Sequence, residues 1–447
     1  MKKSRRKIEL VKTILIPVLI VSALFLGWRT DLFNTFFTSI PFFSSTAHFF
    51  AGLGGKAQPA AQPGGSAAIL QEAARPMGIV VTGDDGGHYG ACFDLSALDD
   101  VYEGTSSIFG EAFGSAGAPE SVTEREWRAA LASPGFYYEY MAPVSLSVLS
   151  AWFGGEIESA YGDYDTGRIC VTFQGDSGFL YFEDEDTGSF YRMGTLSLGD
   201  KSLIYDAYKG NGTQFVFETA LTGSAGDPYT LLFPDVDHYT AQSQNPVSGE
   251  AIDAVLSAFG GGEQAGTSYQ ESDGSVTYVQ NGFTLRVAAD GAMTYKSTGG
   301  GGPSNGTLSL GEIIEKARAL VADTIGQYCG DARVYFDLTS SDGQGGNIVT
   351  FRYCIAGGVV SLGGNSGWAA SALVQDGQIT EMTLNFRAFT LTADRIHMLP
   401  EKQAYAAAGG GVELYYVDSG GGLFTPEWVA GKPIALLTGA PLGGAST

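Results

Sequence analysis

The sequence predicts an α+β protein: an N-terminal transmembrane helix, an α+β domain, then two related modules that each combine a helix with an antiparallel sheet. Three features carry this expectation. An uncharged apolar run, TILIPVLIVSALFLGW at 13–28, follows a basic cluster. Between 75 and 240, short strand patterns closed by turn residues alternate with helix patterns. Beyond 247, the order helix, hairpin, Asp-Gly turn, strand occurs twice.

The N-terminal features set a topology. Residues 1–12 hold six basic side chains (Lys2, Lys3, Arg5, Arg6, Lys7, Lys12) against Glu9. The apolar run at 13–28 would rise about 24 Å as a helix, near the ~30 Å hydrocarbon thickness, with Lys12 and Arg29 able to snorkel at its ends. Pro17 falls in the first turns, where a missing amide costs least, and Trp28 suits the interface. The positive-inside rule then puts 1–12 in the cytoplasm and the body outside the cell membrane. Two other readings exist: a cleaved signal peptide with a small-x-small site at Ser45, Thr46 and Ala47, and a second pass through 32–53. The apolar run exceeds an ordinary signal h-region, and 32–53 holds Asn34, Pro41, His48 and many phenylalanines, which suits a membrane-proximal segment. Residues 54–68, GGKAQPAAQPGGSAA, read as a tether, so 29–74 is membrane-proximal segment plus tether.

The α+β domain, 75–240, opens with a strand at 77–82 and the turn 83–87. A mostly helical stretch at 98–131 follows, its second helix capped by Thr123 with Glu126 and presenting Trp127, Ala130 and Leu131 on one face. A strand at 136–140, a short helix at 146–153, strands at 168–174, 179–183 and 189–193, a helix at 198–208 and a strand at 214–218 complete it. The polar stretch 235–246 reads as its end.

The first helix-sheet module, 247–298, has a helix from Ser248, then VTYVQ, Asn281-Gly282 and FTLRV. A two-residue Asn-Gly turn sets Tyr278 opposite Leu285 and Val276 opposite Val287. Asp290-Gly291 then turns into AMTY. The second module, 308–430, repeats this with a capping box of Ser309 and Glu312, strands at 349–355 and 359–362 about Gly357-Gly358, and a pair about Asp376-Gly377. Strands at 412–417 and 423–429 follow, the latter expected at an edge because Pro426 cannot donate to a ladder. Residues 431–447 are a tail.

Composition narrows the function classes. Glycine fills 64 of 447 positions, about twice ordinary usage, without a collagen period. The net charge is −23, and with +5 in residues 1–12 the remainder carries −28, which opposes any nucleic-acid partner. Zinc-protease spacing, a Gly-x-Ser-x-Gly elbow and a phosphate-binding loop find no match among His48, His88, His238, His397 and the glycine runs. The acids at 183–186 read as a solvated turn before a calcium site, and 342–347 as a turn rather than an EF-hand. Asp84/Asp85 and Asp99/Asp100 read as a turn and a helix start before a glycosidase pair. Trp127 and Trp152 fit helix core faces better than a sugar groove shared with Trp368. No catalytic set, cofactor site or metal site is expected. Of four cysteines, Cys329 and Cys354 are candidates for a disulfide or for two buried thiols.

FRYCIAGGVV at 351–360, ALVQDGQI at 372–379 and LYYVDSGGGLFTPEWVA at 414–430 resemble the strand–turn–strand, strand pair and terminal hairpin of the YycH/YycI family, with features shared by PepSY-like modules. The resemblance implies a non-enzymatic, extracytoplasmic regulator of a two-component sensor histidine kinase involved with the cell wall. The kinase and a paralogous regulator would be its partners, and the membrane helix its contact element. Ile16, Pro17, Ile20, Ala23, Leu24 and Gly27 would then face the partner helix. The alternatives are a PepSY-like inhibitor or cell-envelope ligand module that uses the helix only as an anchor, and a cell-wall hydrolase working through two carboxylates.

Overall fold

Strand alternation gives the first half of the chain one sheet with two apolar faces. The computed structural model describes residues 73–175, 177–221, 226–261, 266–299, 308–363 and 367–430. Its first seven strands are β1 (Gly78–Thr82), β2 (His88–Ala91), β3 (Pro119–Val122), β4 (Gly135–Ser145), β5 (Asp165–Gln174), β6 (Ser177–Asp184) and β7 (Ser189–Ser197). They form a sheet in the order β2-β1-β4-β5-β6-β7-β3, antiparallel throughout. Ile79 lies opposite Tyr138, Tyr138 opposite Ile169, and Ile169 opposite Phe182, so these share one face. Val80, Tyr137, Cys170 and Tyr181 form the matching row on the other.

Each face has its own cover. The helix Leu95–Ser115, capped by Asp94, brings Phe109 to 4.1 Å from the Tyr138 ring. On the opposite side, Trp127, Ala130 and Leu131 of the helix Glu124–Leu131 cluster with Phe215, Tyr229 and Leu231. The capping box of Thr123 and Glu126 closes that helix as the sequence predicts.

Four local expectations change. The helical stretch 98–131 is two helices with strand β3 between them. The helix expected at 198–208 is the single turn Ser202–Tyr205, in which Leu203 is 87% exposed and only Tyr205 is buried. The strand at 214–218 shortens to β8 (Gln214–Phe215), which pairs with β9 (Leu231–Leu232) and runs into a 3-10 turn, Val216–Glu218. The polar stretch at 235–246 contains β10 (His238–Gln244), a strand of the second sheet.

That second sheet has 13 strands: β10, β11 (Thr267–Gln270), β12 (Val276–Gln280), β13 (Phe283–Val287), β14 (Ala292–Ser297), β15 (Ala332–Ser341), β16 (Asn347–Ile355), β17 (Gly358–Ser361), β18 (Ala370–Gln375), β19 (Gln378–Asn385), β20 (Ala388–Ile396), β21 (Val412–Asp418) and β22 (Leu423–Ala430). Its order is β11-β12-β13-β14-β19-β18-β16-β17-β21-β22-β10-β20, with β15 on the other side of β16. The predicted hairpin register holds, with Tyr278 opposite Leu285 and Val276 opposite Val287. The two repeated units join through β14 and β19, where Met293 meets Leu384 and Tyr295 meets Met382. One ladder is parallel, β17 with β21. Pro426 sits beyond the two residue pairs that β22 makes with β10, so it faces a ladder on one side only; the strand itself is internal at its start.

Close backbone approach fixes some glycines. A Cβ on Gly135 would lie 2.2 Å from the Val171 carbonyl oxygen across the β4–β5 ladder. Gly135→Ala is therefore expected to lower unfolding free energy by about 1–3 kcal/mol, read from the midpoint of urea denaturation.

Candidate functional site

The helix Leu310–Asp323 is buried on two sides. It packs on β15, β16 and β18, and also against the helix Leu146–Trp152 of the first sheet's half. The two helices approach closely: a Cβ on Gly311 would fall 2.5 Å from Val148 Cγ2. Between them lie two charged side chains, Glu315 and Arg318, each less than a tenth exposed. Arg318 donates through Nε to Glu315 Oε2 at 2.8 Å and through Nη2 to Oε1 at 2.6 Å, and Trp152 Nε1 donates to Oε2 at 2.8 Å. The fork of Arg318 thus holds the carboxylate in the plane where the Trp152 N–H reaches it.

A second cluster joins the same halves. Asp99, on the helix Leu95–Ser115, is shared by Arg75 and by Arg333 of β15. Arg333 Nη2 donates to both carboxylate oxygens, at 2.7 and 2.6 Å. The Arg75 guanidinium also lies 5.4 Å from the centre of the Tyr102 ring.

A narrow apolar crevice between the two sheets is lined by Met77, Cys92, Leu95, Leu98, Tyr335, Cys354 and Gly357. At its edge the β16–β17 turn meets the chain after β2, since a Cβ on Gly357 would stand 2.7 Å from Cys92 Sγ.

Acids crowd one basic side chain on the first sheet. Arg168 donates to Glu139 and Glu183 on the neighbouring strands and pairs with Asp227 from the covering loop. Burial raises the carboxyl pKa of both Glu139 and Glu183, with Arg168 pulling the other way. Beside them, the Glu401 carboxylate accepts the Phe233 amide at 2.7 Å, and its pKa rises to about 8 through burial, with the charge of Glu139 adding to the shift. His88 bridges Thr82 and Glu218, with Nδ1 2.9 Å from the hydroxyl and Nε2 3.0 Å from the carboxylate. Thr82 and His88 are both buried, so this chain of contacts ties the β1–β2 hairpin to the 214–218 segment.

The residues singled out by sequence distribute as follows. Ile16, Pro17, Ile20, Ala23, Leu24 and Gly27 lie outside the described residues; among the described residues no helix is long and apolar enough to cross a membrane. Cys329 and Cys354 are buried and form no disulfide in this structure. The Cys329 Sγ–H instead points at the carbonyls of Gly326 and Ala332, at 3.2 and 2.9 Å. Among the described residues no group of three or more His, Cys, Asp or Glu is placed to hold a metal ion. The 183–186 acids are engaged locally: Glu183 by Arg168, Asp184 by the Thr187 hydroxyl at 2.6 Å. Asp342 accepts the amides of Gln344 and Gly346, as a turn requires. Trp127 is wholly buried, and Trp368 lies beneath the Arg352 guanidinium at 4.4 Å.

Sequence reasoning missed Glu315 and Arg318, and read Asp99 as part of a helix start, whereas it lies within the helix Leu95–Ser115 and pairs with two arginines. Glu315 and Arg318 stand three residues apart beside the apolar stripe of Ile314, Ala317 and Val321, and charges that border a stripe so closely signal a second packed side.

No family model matches the chain, and no curated protein matches its sequence. A comparison with solved structures does give a likeness. The chain is similar to the crystal structure of YycH from Bacillus subtilis, with a TM-score of 0.49 and 10% identity over 80% of this chain and 94% of that one. YycH is one of the two names in the family that the sequence motifs resemble.

Two predictions test the joint. Glu315→Ala would leave Arg318 buried and unpaired, and is expected to cost about 3–5 kcal/mol in chemical denaturation, while Arg318→Met in the same chain recovers part of that loss. Glu401 holds its proton more tightly folded than unfolded, so its contribution to unfolding free energy falls as pH rises from the ordinary carboxylate range to about 8, then levels. Glu401→Gln, which keeps an acceptor for Phe233, is expected to flatten that fall. Equal declines in Tm from pH 6 to 9 for parent and variant would contradict it.

Proposed function

We propose that this protein is a membrane-anchored extracytoplasmic regulator that modulates a two-component sensor histidine kinase through its N-terminal helix and outer body. The observation that carries the reading is the division of the chain. A basic, then apolar segment at 1–28 precedes an acidic two-sheet body, and the motifs at 351–360, 372–379 and 414–430 resemble a family of such regulators. The principal polar clusters of the body support a sensing rather than a catalytic role, because they are spent on internal joints: Glu315 with Arg318 and Trp152, Asp99 with Arg75 and Arg333, and Arg168 with Glu139, Glu183 and Asp227. In this reading 13–28 both spans the membrane and touches the partner helix, through the stripe from Ile16 to Gly27.

The test exchanges 13–28 for an unrelated spanning helix in the full chain and measures output of the kinase in cells. Loss of regulation with the body still exported is the expected result. Unchanged output after the exchange, together with activity of the body from Arg75 onward alone, would favour a PepSY-like inhibitor or cell-envelope ligand module instead.

A further inference from the structure

We propose that Cys92 and Cys354 form a disulfide across the joint when the protein meets a disulfide oxidant. The two thiols belong to different sheets: Cys92 follows β2 of the first, and Cys354 lies in β16 of the second. Both line the apolar crevice between those sheets, and neither is bonded to another cysteine in this structure. The β16–β17 hairpin brings them together. Cys354 pairs with Val359 across it, and its turn residue Gly357 is so close to Cys92 that a Cβ there would stand 2.7 Å from the sulfur.

The other cysteines have different surroundings. Cys170 is embedded in the aromatic cluster beneath the helix Glu124–Leu131. The Cys329 thiol is turned toward two backbone carbonyls, and Cys329 does not line the crevice.

Exposure sets the order of events. Cys92 is partly exposed and Cys354 is 3% exposed. Cys92 attacks an external disulfide as the thiolate, forming a mixed disulfide and releasing one small thiol. Cys354, deprotonated in turn, attacks the Cys92 sulfur and releases the second small thiol. Two protein thiols are oxidised, one small disulfide is reduced to two thiols, and both protons end on those thiols. Burial raises both thiol pKa values, so the reaction runs slowly in the folded molecule.

The proposal does not depend on the regulatory reading and is tested without a kinase. The full chain is incubated folded with oxidised glutathione, remaining thiols are alkylated, and peptides are mapped by mass spectrometry without reductant. The expected product is one cross-link, Cys92 to Cys354, reversed by dithiothreitol and accompanied by a rise of several degrees in the unfolding midpoint. Cys92→Ser and Cys354→Ser should each abolish it, although mapping of the parent protein alone is decisive if a variant fails to fold. A link between Cys329 and Cys354, a stable glutathione adduct on Cys92 without a cross-link, or full alkylation of both thiols after oxidation would each overturn the proposal.

Discussion

The contact that fixes how the two sheets meet is the carboxylate of Glu315, held by the fork of Arg318 and by the indole of Trp152. Burying such a pair yields little net stability, because desolvation offsets most of the attraction. What it supplies is direction. A bidentate guanidinium and one indole N–H can satisfy the same carboxylate in few orientations, so the helix Leu310–Asp323 has one rotation against the helix Leu146–Trp152. Apolar contact between Gly311 and Val148 alone would allow sliding. With that rotation set, Arg333 reaches Asp99 and the turn at Gly357 lies on Cys92.

Local codes in the sequence were readable where one short segment determines its own geometry. The Asn281-Gly282 turn set the β12–β13 register, and the boxes at Thr123 and Ser309 set two helix starts. Strands whose partners lie far away were not readable. β10 looks like a polar connector because its neighbours, β20 and β22, are more than 140 residues downstream. The exposed turn Ser202–Tyr205 shows the converse: its spacing suggests an amphipathic helix, but no apolar surface waits for Leu203. The joint was hidden for the same reason as β10. Its ion pairs link residues that only the packing of two sheets brings together, and neither spacing nor composition encodes that meeting.

Scarcity of basic side chains explains why the joint is built as it is. In a body this acidic, two of the described arginines are divided among several carboxylates: Arg168 among three, Arg286 between Glu271 and Asp273. Asp99 reverses the pattern, one acid serving two arginines, and those two come from the start of the described chain and from the second sheet. Arg75 stands near the start of the described residues, one shared carboxylate away from β15. A change in how the two sheets meet therefore alters the hold on Arg75.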